Sequence, residues 1–424
     1  MRSTRSMYAA IGTLIVATSI VQLANGFFGT FISLRVTLED FGATLAGLVL
    51  SGYFAGFTVG ALRCGRIIER VGHIRAYAAF GGLVAAATAG MPLLVGPLPW
   101  LLLRAVVGFG CAGLFITAES WLNAKAPPSE RGRIFSVYMV GTFIALAAGQ
   151  LLIGKADVAS ARPFNGIVAL FAVGLVMVST TRAEPPQPTA GQALSYGHLI
   201  RASAIAVLGS ALSGMMASTF YALVPAWAQG EGIDQSTIAL FMFAAVLGGL
   251  AFQVPVGRVS DRVDRRLVLA VLGLGFACTA VLLILLPHTK ATVLLAAALL
   301  GGFLSTLYPV CVAHAHDCMP ADLVVAVSAR LILVSGLGSV IGPVVGTRIM
   351  ASFGIDGVFY FMAATALTLA LVAWLASRRT PPPLHQERPF DILPPQASAL
   401  AHAVRSDAVE SPAADAIGAA PAER

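Results

Sequence analysis

The stretch "GRIIERVGHIR" runs from Gly65 to Arg75 and sets three arginines, a histidine and one acid between two long apolar runs. A near copy, "GRVSDRVDRR", runs from Gly257 to Arg266. The opening glycines stand 192 residues apart in a chain of 424. Each phrase follows the second apolar run of a block of six. The chain therefore reads as one unit written twice.

The composition says what surrounds those blocks. The chain is 57% hydrophobic and 11% charged, with a mean hydropathy of +0.84; a soluble domain carries about 25% charged residues. Water is not the main solvent. A run of about 20 apolar residues spans a bilayer as a helix, and such runs cover 8–34, 44–62, 76–96, 98–122, 133–154, 164–181, 202–224, 235–256, 267–287, 291–314, 325–347 and 357–377. They are too long and too uniformly apolar for the alternating strands of a membrane barrel. The 43 glycines suit helices packed closely in lipid, where small residues let backbones approach. The expected fold is all-α and integral to the membrane, with twelve transmembrane helices in two pseudo-symmetric six-helix bundles. The expected domains are an N-terminal bundle at 1–181, a central linker at 182–201, a C-terminal bundle at 202–379 and a disordered tail at 380–424. The tail is rich in alanine and proline and lacks the large apolar residues of a core.

Charge sets the orientation. Lysines and arginines favour cytoplasmic loops, and they gather in the loops on one side, as at Arg63, Arg66, Arg70, Arg131, Arg133 and Arg262. The other side holds only Arg35, Lys155, Arg162, Lys290 and Arg348. A multi-pass protein of the cytoplasmic membrane, with both termini inside, is expected. The opening "MRSTRSMYAAIGTLIVATSIVQLANG" mimics a signal peptide, but its apolar run outlasts an h-region, so it reads as an uncleaved first helix. The five cysteines are odd in number; four sit in or at the edge of helices and Cys64 in the first charged stretch, which is no disulfide framework. The net charge of +7 is spent on topology and does not point to nucleic acid.

The paired phrases resemble the loop motif G-x-x-x-D-R-x-G-R-R of the major facilitator superfamily. Gly65, Glu69, Arg70, Gly72 and His73 take its positions in the first copy, with Glu for Asp. Gly257, Asp261, Arg262, Arg265 and Arg266 take them in the second, where Asp264 replaces the second glycine. "RAVVGFGCAGLFITAESWLNAKAPPSERGRIFSVY" (104–138) and "LYPVCVAHAHD" (307–317) further resemble the YcaD-like branch. The resemblance covers about residues 8 to 379. It implies a secondary transporter built of parallel six-helix repeats and leaves the substrate open. It also implies that helices 1, 4, 7 and 10 line a central cavity. The motif's chemistry suits a cytoplasmic latch: glycine permits a tight turn, an acid is favoured at a helix N-terminus, and arginines pair with that acid or with lipid headgroups. Topology-setting charge alone needs no acid at a fixed spacing.

Ionisable residues inside a span mark function by default. Arg104 lies about six residues into helix 4 and starts "RAVVGFG", similar to the superfamily's R-x-x-x-G pattern. At helical pitch Arg104, Gly108, Cys111, Phe115 and Glu119 share one broad face, which the resemblance turns toward the pathway. Arg104 is a candidate for binding an anionic group or steering a proton. Glu119 falls roughly 30 Å along the helix, near the cytoplasmic interface, where desolvation is expected to be partial. It reads as a gate partner of Arg131, of Arg133 or of the first motif loop, ahead of a proton site. Gln22 and Asn25 in helix 1 suit either substrate bonding or helix–helix glue. Tyr221 in helix 7, with Met215 and Met216, and Tyr308 in helix 10 are further substrate candidates. In "CVAHAHDC", His314 meets Cys311 or Cys318 at helical spacing, but His316 points elsewhere; pH sensing or helix-end bonding stands ahead of metal binding. Helix 11 has "GSVIGPVVG" (338–346), which resembles the Gly-Pro motif of helix 5 in drug/proton antiporters. Helix 5 here, "ALAAGQLLIG", lacks that pair.

No phosphate-binding loop and no Ser/His/Asp constellation are present, so no enzyme is expected. The expected activity is transport of a small organic solute by alternating access, proton-coupled and with export preferred. Alternatives are an importer of a small anionic or sugar-like metabolite, or a membrane sensor or scaffold. No cofactor is expected beyond a proton gradient, and the expected partners are the solute and membrane lipid, with a monomeric chain.

Overall fold

A computed structural model describes residues 2–127, 129–179, 194–320, 323–379 and 390. Among them are α1 (Arg2–Leu38), α2 (Ala43–Val71), α3 (His73–Gly90), α4 (Pro97–Lys125), α5 (Arg131–Leu151), α6 (Arg162–Ser179), the short α7 (Tyr196–Ala202), α8 (Ala204–Gly230), α9 (Gln235–Ser260), α10 (Arg265–Leu285), α11 (Lys290–Asp317), α12 (Val324–Phe353) and α13 (Gly357–Arg379). A backbone in lipid must satisfy its own hydrogen bonds, which leaves helices as the available element. Eleven of these helices are long and apolar enough to cross a membrane. The twelfth, α3, falls below that mark because His73 and Arg75 occupy its first turn. This is the expected twelve-helix, two-bundle fold.

The duplication is visible in the packing. In the first half α1 packs on α5 and α6, α2 on α4, and α3 on α4 and α6. In the second half α8 packs on α12 and α13, α9 on α11, and α10 on α11 and α13. Glycines fix the crossings reciprocally. Gly56 faces the Ala105 carbonyl while Gly108 faces that of Tyr53, and in the second half Gly248 faces Ala298 while Gly301 faces Ala245. At the α1–α5 crossing Gly26 faces the Leu146 carbonyl and Gly149 that of Leu23; Gly214 with Ser335 and Gly338 with Ala211 repeat this between α8 and α12. At each of these positions a side chain would collide with backbone. Lipid tails give helices no hydrophobic reason to associate, so this close approach supplies the packing energy. Gly338 belongs to the "GSVIGPVVG" run, which is thereby a packing seam.

The two charged phrases are mostly helix. α2 continues through Glu69 and Arg70 to Val71, and only Gly72, at φ 84°, separates it from α3. α9 continues to Ser260, and Asp264 caps α10 by accepting from the Arg266 N–H at 2.9 Å. The helices outrun the expected spans because arginine stems can lie along apolar surface while their heads reach polar medium. Gly65 is therefore a helical residue with open space beside it, and the turn belongs to Gly72. Cys64, expected in a charged loop, is buried within α2.

Of the expected linker at 182–201, residues 182–193 lie outside the described residues, and α7 occupies most of the remainder. The expected disorder of 380–424 falls on residues outside the description, with one exception. Phe390 is 6% exposed and belongs to the main apolar core.

The halves meet along α2–α12, α5–α9 and α1–α8. Hydrogen bonds join them at the end away from the charged phrases. Ser33 donates to the Ala222 carbonyl at 2.5 Å, Thr37 to Gln229 Oε1 at 2.8 Å, and Gln235 to the Ile153 and Ala156 carbonyls at 2.5 and 2.7 Å. At the end that carries the phrases, α4 and α11 do not form a packed pair.

Candidate functional site

The space left between the halves is a cavity of about 180 Å³. Its wall combines α1 (Asn25, Thr30), α2 (Tyr53, Phe54, Phe57), α4 (Arg104), α5 (Gln150), α8 (Ser213, Ser218, Tyr221), α11 (Ser305, Tyr308) and α12 (Ser335, Ser339). Among the described residues, Arg104 is the only charged one in this wall.

Arg104 is 5% exposed. Its guanidinium lies over the rings of Tyr53 and Phe28, 4.8 and 5.1 Å from their centroids, and a cation is attracted to an aromatic face. Its Nε is buried without an acceptor, and Arg104 makes no ion pair among the described residues. The nearby amides are already committed: Tyr53 donates its hydroxyl to Asn25 Oδ1 at 3.3 Å, and Thr30 donates to Gln150 Oε1. The Tyr308 hydroxyl, in the other half, is buried without a hydrogen-bond partner among the described residues.

The sequence candidates separate accordingly. Asn25, Arg104, Tyr221 and Tyr308 reach the wall. Gln22 does not; it is 3% exposed and accepts from Asn25 at 3.5 Å, which makes it helix-internal support. Of the proposed α4 face, only Arg104 reaches the cavity. Gly108 is pressed against α2 instead, so that face drifts off the cavity as the helices cross. Glu119 is buried at 1% exposure, which corrects the expectation of partial desolvation. It sits roughly 22 Å along α4 from Arg104 and accepts from the Tyr138 hydroxyl of α5 at 3.4 Å. Met215 and Met216, read as adaptable solute contacts, are also off the wall. The wall residues missed from sequence are mainly Tyr53, Phe54 and Phe57. The run "GYFAGF" was their signal, an aromatic cluster broken by glycines on a helix outside the expected lining set.

His314 belongs to the second charged phrase rather than the cavity. It is 5% exposed, its Nδ1 lacks a hydrogen-bond partner among the described residues, and Asp264, Arg265 and Arg266 act on it electrostatically. His316 bonds to Ser328 at 3.0 Å. Among the described residues no three of His, Cys, Asp and Glu converge on a metal position.

The phrase itself forms a network inside the second half. Arg265 pairs with Asp317 at 2.8 Å and with Asp261 at 3.3 Å, and Arg266 pairs with Asp264 at 2.7 Å and donates to the Ala376 carbonyl at 3.0 Å. Burial pushes the Asp264 carboxyl up, but the Arg266 hydrogen bonds and charge outweigh it and hold it below the usual carboxylate range. The Phe390 N–H donates to Asp261 at 3.0 Å, and its ring lies where a Cβ on Gly257 would sit, 2.7 Å from the ring's Cδ1. The missing side chain of Gly257 makes that seat. In the first phrase Glu69, Arg70 and Arg66 are exposed and make no ion pair among the described residues, while His73 bonds to Ser120 at 3.0 Å. Arg262 is likewise exposed and without an ion pair among them.

Comparison with known proteins agrees with this architecture. The Major Facilitator Superfamily model matches residues 14–234 and 206–409. The MFS-type transporter YcaD of Escherichia coli O7:K1, itself uncharacterized, is 28% identical over 383 residues, covering 90% of this chain and 98% of its own. Its counterpart in Shigella flexneri serotype 5b is similar to the same extent. Among solved structures, the nucleoside transporter NupG superposes with a TM-score of 0.72 at 13% identity, over 88% of this chain and 100% of that one. The D-xylose-proton symporter gives 0.68 at 17% identity, over 86% and 97%.

Proposed function

Because this chain belongs to the major facilitator superfamily, we propose that it is a secondary transporter that moves a small organic solute through the central cavity by alternating access, coupled to protons. The observation that carries this reading is the placement of the cavity. It lies between two duplicated halves that are bonded together at one end, with the motif charges of Glu69, Arg70 and Arg262 unpaired among the described residues at the other. A rocking motion needs such an arrangement: one set of contacts made while the opposite set is open. With the charged phrases cytoplasmic, as the arginine bias favours, Glu69, Arg70 and Arg262 are the groups that pair when the protein closes inside.

Glu119 supports the proton coupling. It is a buried carboxylate on the helix that carries Arg104, and its hydrogen bond to Tyr138 ties α4 to α5. Carrying a proton in one state and not the other would change how those helices hold together. Export is the preferred direction on a wall that offers Tyr221, Tyr308 and the single arginine Arg104, without the methionines of α8.

The test uses proteoliposomes with an internal pH-sensitive dye, an imposed proton gradient of either sign, and pooled organic solutes. Solute-dependent proton movement is expected in the wild type and lost in Glu119→Gln, with solute binding retained. Solute movement with no accompanying proton movement would sink the coupling. No movement for any pool would sink the transporter reading in favour of a sensor.

A further inference from the structure

We infer that the cavity is built for an organic carboxylate, whose negative charge completes Arg104. This rests on the cavity being the transport site and names the class of solute. A guanidinium has five N–H donors and no acceptor of its own. Arg104 is buried, its Nε has no acceptor, and it makes no ion pair among the described residues. Phe28 and Tyr53 offer it ring faces, which attract the charge but accept none of the directed bonds that a carboxylate oxygen accepts. Among the described residues the lining contains no Asp or Glu, so the described wall carries one positive charge that none of them compensates. A buried charge of that kind is costly unless it is paired, and the partner missing from the protein is the one a solute can bring. A carboxylate matches the guanidinium fork with two parallel bonds.

The rest of the wall describes the body of that anion. Tyr53, Phe54, Phe57 and Tyr221 present apolar and aromatic surface to the cavity that Arg104 lines. On the opposite half the wall offers two hydroxyls without a hydrogen-bond partner among the described residues, that of Tyr308 on α11 and that of Ser213 on α8. A solute with an aromatic or otherwise apolar body, a carboxylate at one end and a polar atom at the other fits both halves. It would bond one half through Arg104 and the other through Tyr308 or Ser213, so binding would bear directly on how the halves rock. A cationic solute meets like charge on this wall, and a neutral one leaves the guanidinium unpaired.

The test is a matched series on the purified full-length protein. Benzoate, 3-phenylpropionate and indole-3-acetate are each titrated beside the corresponding amide and amine, with the thermal unfolding midpoint as readout. At least one carboxylate is expected to stabilise the wild type saturably, with its amide about tenfold or more weaker and its amine inactive. Arg104→Gln should erase the preference for carboxylate over amide while the amide still binds, which also reports that the variant is folded. Arg104→Lys should restore part of the preference, having the charge without the fork. An amide or amine that equals its carboxylate overturns the inference, as does a preference that survives Arg104→Gln, or a wild type that none of the carboxylates shifts. The transporter reading fails separately: a carboxylate preference without flux in proteoliposomes would sink it, while flux of a neutral or cationic solute would keep it and overturn the anion site.

Discussion

The seat of Phe390 can be tested quantitatively. Two interactions hold this residue: its ring on Gly257 and its N–H on the Asp261 carboxylate. Moving a phenylalanine ring from water to a buried site contributes about 1.5–3 kcal/mol, and a hydrogen bond to a charged group about 1.5–3 kcal/mol. Against them stands the ordering of the local backbone, about 1–2 kcal/mol per residue fixed. Phe390→Ala leaves the bond but removes the ring. A loss of about 2 kcal/mol is expected, which is roughly a 30-fold shift toward the undocked state. Gly257→Ala should act on the same equilibrium from the other side. The new Cβ would stand 2.7, 3.1 and 3.3 Å from Cδ1, Cγ and Cβ of Phe390, so the base of the ring must leave rather than only its tip. The assay is hydrogen exchange at the Phe390 amide, followed by mass spectrometry in overlapping peptides. The wild-type amide should exchange well below its intrinsic rate, and each variant should raise that rate by about tenfold or more, with α9 amides unchanged. Gly257→Ala made in the Phe390→Ala background should add little, because the two changes remove one contact. A wild-type amide at its intrinsic rate, or additive effects of the two changes, would refute the docking argument. A consequence follows for truncation. Removing the chain after Arg379 takes away a buried aromatic residue, so it is not the neutral deletion that composition suggests.

Three further outcomes are expected. Asp317→Asn breaks an ion pair whose side chains are 5% and 3% exposed; loss of one partner of a buried pair costs about 3–5 kcal/mol, and the lower end is expected because Arg265 keeps Asp261, read as unfolding in detergent titrated with denaturant. Gly56→Ala should impair folding, since its Cβ meets the Ala105 backbone, whereas Gly12→Ala, with nothing within 4 Å, should be tolerated; folded yield by size-exclusion chromatography separates them. Asp234 caps α9, and hydrogen bonds from Ser236 and Thr237 lower its carboxyl to about 2. Its contribution is therefore whole above the unfolded value of about 3.9 and lost as pH falls through about 2, so the midpoint difference between wild type and Asp234→Ala should be steady near neutrality and shrink between pH 4 and pH 2.

The spans were legible because lipid imposes one demand, length without charge, on every helix. The duplication was legible because a charged phrase stands out against apolar text. The same uniformity hid the cavity wall. In a soluble helix the polar stripe shows which side faces water, but α2 is apolar on the lipid side, the packing side and the cavity side alike. Tyr53, Phe54 and Phe57 therefore look like ordinary bilayer residues. Arg104 could be found because a charge inside a span is rare. His314 and Glu119 are also polar residues in spans, but their assignment needed the helix crossings, since a residue's partner is fixed by what packs beside it. Phe390 was missed for a different reason. A lone aromatic in a proline-rich tail carries no periodic signal, and its seat was encoded 133 residues earlier, at Gly257. The sequence "RPFDIL", with Phe390 followed by Ile392 and Leu393, was the available hint.

The two copies of the charged phrase have diverged in what they hold. In the first, Glu69 and Arg70 end a helix and make no ion pair among the described residues. In the second, the spare glycine position is Asp264, and that change converts a turn into a helix cap that also grips Arg266. Arg265 is drawn to Asp317 at the foot of α11, Arg266 reaches the Ala376 carbonyl of α13, and Asp261 is taken by Arg265 and Phe390. Every one of these partners lies in the second half or beyond it in the chain. A pair that must be made and broken once per cycle has to be weak enough to exchange, and exposed charges meet that requirement because water compensates for each separation. A pair buried at both ends does not, because losing one partner strands a charge away from water. Duplication supplied two equivalent phrases. Burial then assigned the second to holding α9, α10, α11 and α13 as one body, which leaves the exposed first phrase, together with Arg262, as the part free to change partners when the halves move.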